Sequence, residues 1–487
     1  MARPSTPHVL ALGALALALL ALPACSIAVG QRSACERSSQ CRASFGVGHV
    51  CGEDGLCRPV APHRRCRSAD PPDLLEAPER HRSTVVIGTI FGSIPSEQID
   101  LHAAELAVRQ ARRAGGLPDH PLALLHCDST PFAGDELDDV EAAAEVAHYL
   151  ADFGAPVILG ATTSSGTVAA YEALRGRDVV LISPSATSAE LSELDGVSHD
   201  DERPGLLWRT VASDDLQGRV IAEDMRRRGV QRLTILHEPG PYGGALARVV
   251  ASELAGAAMV DVLTFDASTL ATRVVEIAER DDDELLLVSS IIGDLIGFLN
   301  AASVSPRLLE RYSSRGIFLT DAAAQMELID EVMPAARAFF PQIRGTRPAV
   351  ASDTPLQEEL YGAFAIEFRE DPTSSSFTAH SYDAGALALY GLAWASLQEA
   401  EISGTTIARG LRRTSEGEQL AVRSASWPLL LEAFRAGESI DLSGASGGLD
   451  FDPVSEELLT PIEVWTVEPD GPAGWAITTE YVVDPAE

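Results

Sequence analysis

From Ser83 onward the chain alternates short β-branched runs with stretches of helical period, and the alternation restarts after Trp208. Strand-like runs fall at 84–90, 122–127, 157–159 and 179–182, with helical stretches at 100–114 and 138–153. The second set has strands at 233–237, 260–265, 285–289 and 317–319 and helices such as 243–254 and 271–280. Strands that are apolar on both sides and alternate with helices need a parallel sheet covered on both faces. The expected fold is therefore α/β: two doubly wound parallel-sheet lobes, with a small Cys-rich module in front.

Open α/β sheets bind ligands beyond the C-terminal ends of their strands. Two such ends are rich in hydroxyls. Val157-Ile158-Leu159 leads into Gly160-Ala161-Thr162-Thr163-Ser164-Ser165-Gly166, and Val179-Val180-Leu181-Ile182 leads into Ser183-Pro184-Ser185-Ala186-Thr187. Both precede helix-like stretches, whose N-termini offer free N–H donors suited to a carboxylate or phosphate. Ordinary N-capping by Ser and Thr accounts for either turn alone.

The first residues point to export. An apolar run at 9–22 ends in Leu22-Pro23-Ala24-Cys25, too short to span a bilayer and of the length of a signal-peptide core. Small residues before Cys25 resemble the lipobox of bacterial lipoproteins, in which that Cys becomes the acylated first residue, although Pro23 departs from the pattern. This implies a signal peptide over 1–24 and a lipid-anchored module and linker over 25–82. The alternative is a plain secretory signal with Cys25 in a disulfide. Cys35, Cys41, Cys51, Cys57 and Cys66 crowd one stretch and Cys127 lies apart. Six cysteines outside the cytoplasm suit three disulfides, with pairing open and Cys66 to Cys127 one possibility. Zinc is the rival, disfavoured by the spacings. Pro71-Pro72 and the charged stretch to Arg82 read as a spacer.

Charge and composition exclude several partners. A formal net charge of −34 makes nucleic acid and anionic membrane surfaces poor partners. Lysine is absent, which removes phosphate loops of the GxxxxGK[ST] kind, Schiff-base lysines and SxxK nucleophiles. Gly444-Ala445-Ser446-Gly447-Gly448 fits the GxSxG pattern, but Leu449 to Asp452 read as strand or hairpin and not as the helix a nucleophile elbow needs. Asp281-Asp282-Asp283-Glu284 lacks the alternating ligands of a calcium loop. No metal site, cofactor or enzymatic constellation is expected.

Several landmarks occur together in one order. Val85-Val86-Ile87-Gly88 with Gly92, the two hydroxyl turns continuing to Ser188-Ala189-Glu190-Leu191, Arg209-Thr210 with Asp214, Gln217 and Gly218, Pro241-Tyr242-Gly243, Leu319-Thr320-Asp321, Tyr382-Asp383-Ala384 and Gly448-Leu449-Asp450-Phe451-Asp452 resemble the type 1 periplasmic binding proteins, in their branched-chain amino acid branch. The likeness runs from Val85 to about Val467 and implies three crossings between the lobes, near Arg209, Thr346 and Gly447, with 83–208 plus 349–447 as the first lobe and 209–348 plus 448–487 as the second. It implies an extracytoplasmic, lipid-anchored receptor that closes over a small amino-acid-like ligand and delivers it to an ABC permease. It also implies that Ser164, Ser165, Ser185, Ala186 and Thr187 hold the ligand's α-carboxylate, that Asp321 holds its ammonium, and that Tyr242 closes from the second lobe. Ser290-Ile291-Ile292 stands where relatives place an aromatic, and Asp321 where they place Glu. A signalling receptor on the same fold and a surface interaction protein are the alternatives, and a helix cap is the alternative for Asp321.

Overall fold

The computed structural model describes residues 33–132, 134–349, 354–470 and 474–484. Cys25 and the expected signal peptide lie outside them.

The Cys-rich module is a short helix, Ser38–Phe45, on a hairpin of β1 (His49–Cys51) and β2 (Cys57–Pro59). Disulfides Cys35–Cys51 and Cys41–Cys57 staple it, as so small a unit requires. The segment after it does not behave as the expected spacer. Strand β3 (Ser68–Asp70) pairs antiparallel with the edge of the first lobe's sheet, and the turn opened by Pro72 buries Leu74 completely among Val86, Ile90 and Leu125. Cys66 joins Cys127 across this contact. The fully buried Arg65 side chain pairs with Asp135 and donates to the Thr130 carbonyl at 2.8 Å. Sequence reading offered the Cys66–Cys127 pairing as one possibility but passed over the rest of the docking, because two prolines and scattered charges mark linkers as readily as they mark a capped sheet edge.

The first lobe carries β4 (Val85–Phe91), β5 (Leu122–Asp128), β6 (Val157–Gly160), β7 (Val180–Ser183) and β8 (Leu207–Arg209) in the order β3-β5-β4-β6-β7-β8, parallel apart from β3. All seven β4 residues are buried because its faces feed two cores: Ile87 and Phe91 pack on one side, Val86 and Ile90 on the other. The second lobe repeats the winding with β9 (Arg232–His237), β10 (Met259–Thr264), β11 (Glu284–Val288), β12 (Gly316–Leu319) and β13 (Ile343–Pro348), ordered β10-β9-β11-β12-β13. After a small parallel pair in the first lobe, β14 (Glu418–Ala421) and β15 (Ile440–Ser443), the antiparallel β16 (Ile462–Asp470) and β17 (Gly474–Val483) complete the second sheet.

The last crossing lies later than expected. Leu449, Phe451 and Leu458 belong to the first lobe's core, and Phe451 packs edge-on against Trp208 at 4.9 Å. The chain enters the second sheet only at Ile462. Gly444–Gly448, read as a flexible crossing, is instead pinned by the buried Asp383, which accepts from the N–H groups of Ala445 (3.0 Å) and Ser446 (2.8 Å) and from the Ser446 hydroxyl (2.6 Å). Ser446 is itself buried.

Replacing Cys66 and Cys127 together with serine should lower stability by about 2–4 kcal/mol, the usual worth of a disulfide closing a loop of this size. Denaturant unfolding checks this, and an unchanged midpoint would mean that β3 and Arg65 hold the module unaided.

Candidate ligand site

Each sheet reverses its winding beside its first strand, between β4 and β6 in one lobe and between β9 and β11 in the other. Loops leaving the strands diverge at such points and leave a crevice. The two crevices meet across an interlobe cavity of about 80 Å³. Gly160 makes the first one possible: its φ is +107°, and a Cβ there would lie 2.2 Å from the Ile90 carbonyl oxygen.

Ser164, Ser185, Thr187, Tyr242 and Asp321 all line this cavity. Ser165 and Ala186 do not. Ser165 faces Gly240 of the second lobe, and Ala186 is fully buried with its N–H donated to Ser183 Oγ at 3.1 Å.

Capping and site-building are shared among the turn residues. Thr163, not its successors, caps helix Ser164–Leu174 by accepting from the Gly166 N–H at 3.1 Å. The N–H groups of Ser164 and Ser165 then sit in a first turn that gives them no helical acceptor. Ser164 Oγ accepts from the Ser188 N–H at 3.1 Å and Ser185 Oγ donates to the Thr162 carbonyl at 2.8 Å, which lock the two turns together. The Thr187 hydroxyl is buried and makes no hydrogen bond of ordinary geometry.

On the second lobe, Tyr242 enters in the first turn of helix Pro241–Glu253. Its hydroxyl donates to Asp321 Oδ1 and lies 2.8 Å from Thr320 Oγ1. The same Asp321 oxygen accepts from Gln217 Nε2 at 3.1 Å, and Gln217 also donates to Thr346 Oγ1 at 3.1 Å. The alternative role for Asp321 is not realised, since the turn Asp321–Ala323 has no side-chain cap.

The electrostatics are uniformly acidic. Burial pushes the Asp321 carboxyl up, against the hydrogen bonds from Tyr242 and Gln217 that favour its charge. Asp214 behind it is fully buried, makes no hydrogen bond of ordinary geometry on either oxygen, and is raised well above its ordinary value by burial and then by the nearby Asp321. Burial also raises Glu97, whose Oε2 accepts from the Thr162 hydroxyl at 2.8 Å, and lifts Asp100 to about 8. No Arg or His lines the cavity.

Glu97, Asp100, Gln325 and Ser375 therefore belong to the site, and sequence reading passed over them. The helix expected at 100–114 begins at Pro95. Asp100 thus sits in its second turn on the buried side, beside Ile99, Ala103 and Ala104, where an acid has no structural reason to be. A proline at the first helical position followed by Glu97 was the available signal. Ser290, the residue in place of an aromatic, does line the cavity, held by Glu238, which accepts from its N–H at 2.9 Å.

The lobes touch directly. Ser188 Oγ donates to the Pro241 carbonyl at 2.9 Å, Ser376 Oγ to the Ala324 carbonyl at 2.7 Å, and Arg248 pairs with Glu190 at 2.6 Å. A cavity of this size has room for a few waters, well below the roughly 300–1,000 Å³ of typical ligand pockets. The cleft is closed.

No family model matches the chain. The Leu/Ile/Val-binding protein of Escherichia coli (strain K12) is 23% identical over 287 residues, 57% of this chain and 74% of that protein. A leucine binding protein from Thermotoga maritima superposes with a TM-score of 0.61 at 16% identity, covering 83% of this chain and 99% of that one. An R. palustris solute binding protein in complex with 4-hydroxybenzoate also reaches 0.61, at 12% identity over 82% and 97% of the two chains. Two sheets of one winding with a cleft between them give this chain the type 1 periplasmic-binding fold, and its sequence is similar to those of Leu/Ile/Val-binding proteins.

Proposed function

We propose that this protein is an extracytoplasmic solute-binding receptor that closes two lobes over a small amine-bearing ligand, an amino acid or a related compound, and hands it to an ABC permease. The observation that carries the reading is the meeting in one cavity of Ser164, Ser185 and Thr187 from one lobe with Tyr242 and Asp321 from the other. The Ser164 and Thr187 hydroxyls and the helix N–H groups are neutral donors for a carboxylate, and Asp321 is the charge partner a buried ammonium needs. Ser165 and the Ala186 backbone support the turns that make these contacts.

Ligands enter when the lobes part, by a hinge at the three crossings. A thermal-shift screen against amino acids, amines and aromatic acids tests the reading, because a compound that binds the folded form raises its melting temperature. Stabilisation by none of them would remove the receptor assignment. Export and anchoring through Cys25 have their own test. Mass spectrometry of the N-terminus should find an acylated Cys25 as the first residue, and an unmodified thiol or cleavage elsewhere would leave a receptor without a lipid anchor.

A further inference from the structure

The cavity wall facing the second lobe is built by the first turns of helix Pro95–Arg113 and by the stretch around Ser375 and Phe377. Beside Ile94 and Phe377 it carries two acids that an aliphatic side chain cannot partner. Asp100 is 3% exposed, lines the cavity, and has no hydrogen-bond partner on Oδ1. Glu97 lies one turn before it on the same wall, and with Asp321 three carboxylates border one small space without a cation among the lining residues. Independently, the Thr187 hydroxyl lines the same cavity, is 1% exposed, and makes no well-formed hydrogen bond. The carboxylates do not gather as metal ligands do. Among the described residues the one triad of potential ligand atoms within 4.8 Å is Cys35, Cys41 and Cys51, whose sulfurs are in disulfides.

We infer that the ligand carries two cationic nitrogen groups, one seated on Asp321 and the other on Asp100 and Glu97, as in a diamino acid or a related diamine. This rests on the receptor reading above and specifies its ligand. A branched aliphatic side chain would leave the buried Asp100 Oδ1 without a donor, and an aromatic acid would bring no cation to any of the three acids. A site built around a polar partner rejects an analogue that lacks it far more strongly than an apolar pocket rejects one methylene too many.

Proton linkage supplies a signature. Asp100 is raised to about 8 by burial and by Glu97, with Ser375 and Ser381 working against the shift. Tyr361 from helix Pro355–Phe368 is its other titratable neighbour and stays protonated, its own value raised by burial. Below pH 8 Asp100 therefore holds its proton, and a cationic group must expel it. Affinity for a diamino compound should rise with pH, approaching about tenfold per unit from roughly pH 6 to 7 and levelling near 8, with a proton released on binding.

Calorimetric titration of the full chain with lysine, ornithine, putrescine, leucine and benzoate, in two buffers of different ionisation enthalpy, tests this. The expected result is binding of lysine or ornithine at least a hundredfold tighter than leucine, with proton release. Asp100→Asn, nearly isosteric, should weaken that binding more than tenfold, abolish most of the proton release, and leave leucine binding unchanged or improved. Leucine or benzoate binding as tightly as the diamino compounds would overturn the inference and leave the receptor standing, as would an Asp100→Asn protein that binds lysine undiminished. Binding of none of the five would overturn both.

Discussion

Replacing Asp321 with asparagine should weaken binding of an amine-bearing ligand a hundredfold or more while leaving the empty protein folded. Removing one partner of a desolvated charge pair costs about 3–5 kcal/mol, and each 1.4 kcal/mol is roughly a factor of ten in affinity. The fold survives because an amide can still accept from Tyr242 and Gln217, the two groups that hold the carboxylate. Burying one carboxylate fewer beside Asp214 even relieves a like-charge contact. Thr187→Ser, which keeps the hydroxyl and trims a methyl, should cost about 1 kcal/mol or less. Calorimetric titration of both variants separates them, and equal small losses would take Asp321 out of the site.

The opposite end of the second sheet should respond in stability and not in affinity. Arg228 bridges Asp224 (2.7 Å) and Glu284 (2.6 and 2.7 Å), whose side chains are 3% and 2% exposed. Arg344 shares Asp224 at 3.0 Å, and Gly316 leaves room for the Glu284 carboxyl where a Cβ would lie 2.7 Å from it. Arg228→Met should destabilise the protein by about 3–5 kcal/mol, because two buried carboxylates lose their main counter-charge. The deficit should shrink as pH falls. Burial already raises Glu284 against the pull of Arg228, so without that pull it takes up a proton at a higher pH and its charge ceases to be a burden. Unfolding midpoints at about pH 5 and pH 8, with ligand affinity as control, check this. A loss of affinity matching the loss of stability would mean that the two ends of the sheet are coupled.

How much was legible from sequence depends on how locally each feature is encoded. Strand ends such as Val157–Gly160 and Val180–Ser183 show themselves because β-branched runs stop at glycine or hydroxyl residues, and the hydroxyls of these turns do reach the cleft. Tyr242 and Asp321 were legible only through their place in a family order of landmarks, since one aromatic and one acid after a strand have many structural uses. Asp100 was lost to a boundary error of five residues, which put a buried acid at the apparent start of the helix. The pinned Gly444–Gly448 loop depends on Asp383, some sixty residues earlier, and no local pattern reveals such a partner. Ala186 shows the limit of carrying roles across by position, for its N–H is already engaged by Ser183.

The docking of the Cys-rich module by β3, Arg65 and Cys66–Cys127 makes the two jaws of this clamp unequal. Whatever grips the chain just ahead of Cys35 grips the first lobe with it, so in the proposed hinge motion the second lobe would be the jaw that swings. A pair of dyes on the module and the second lobe would report every opening as a change in separation, while a pair on the module and the first lobe would stay constant and serve as the built-in reference.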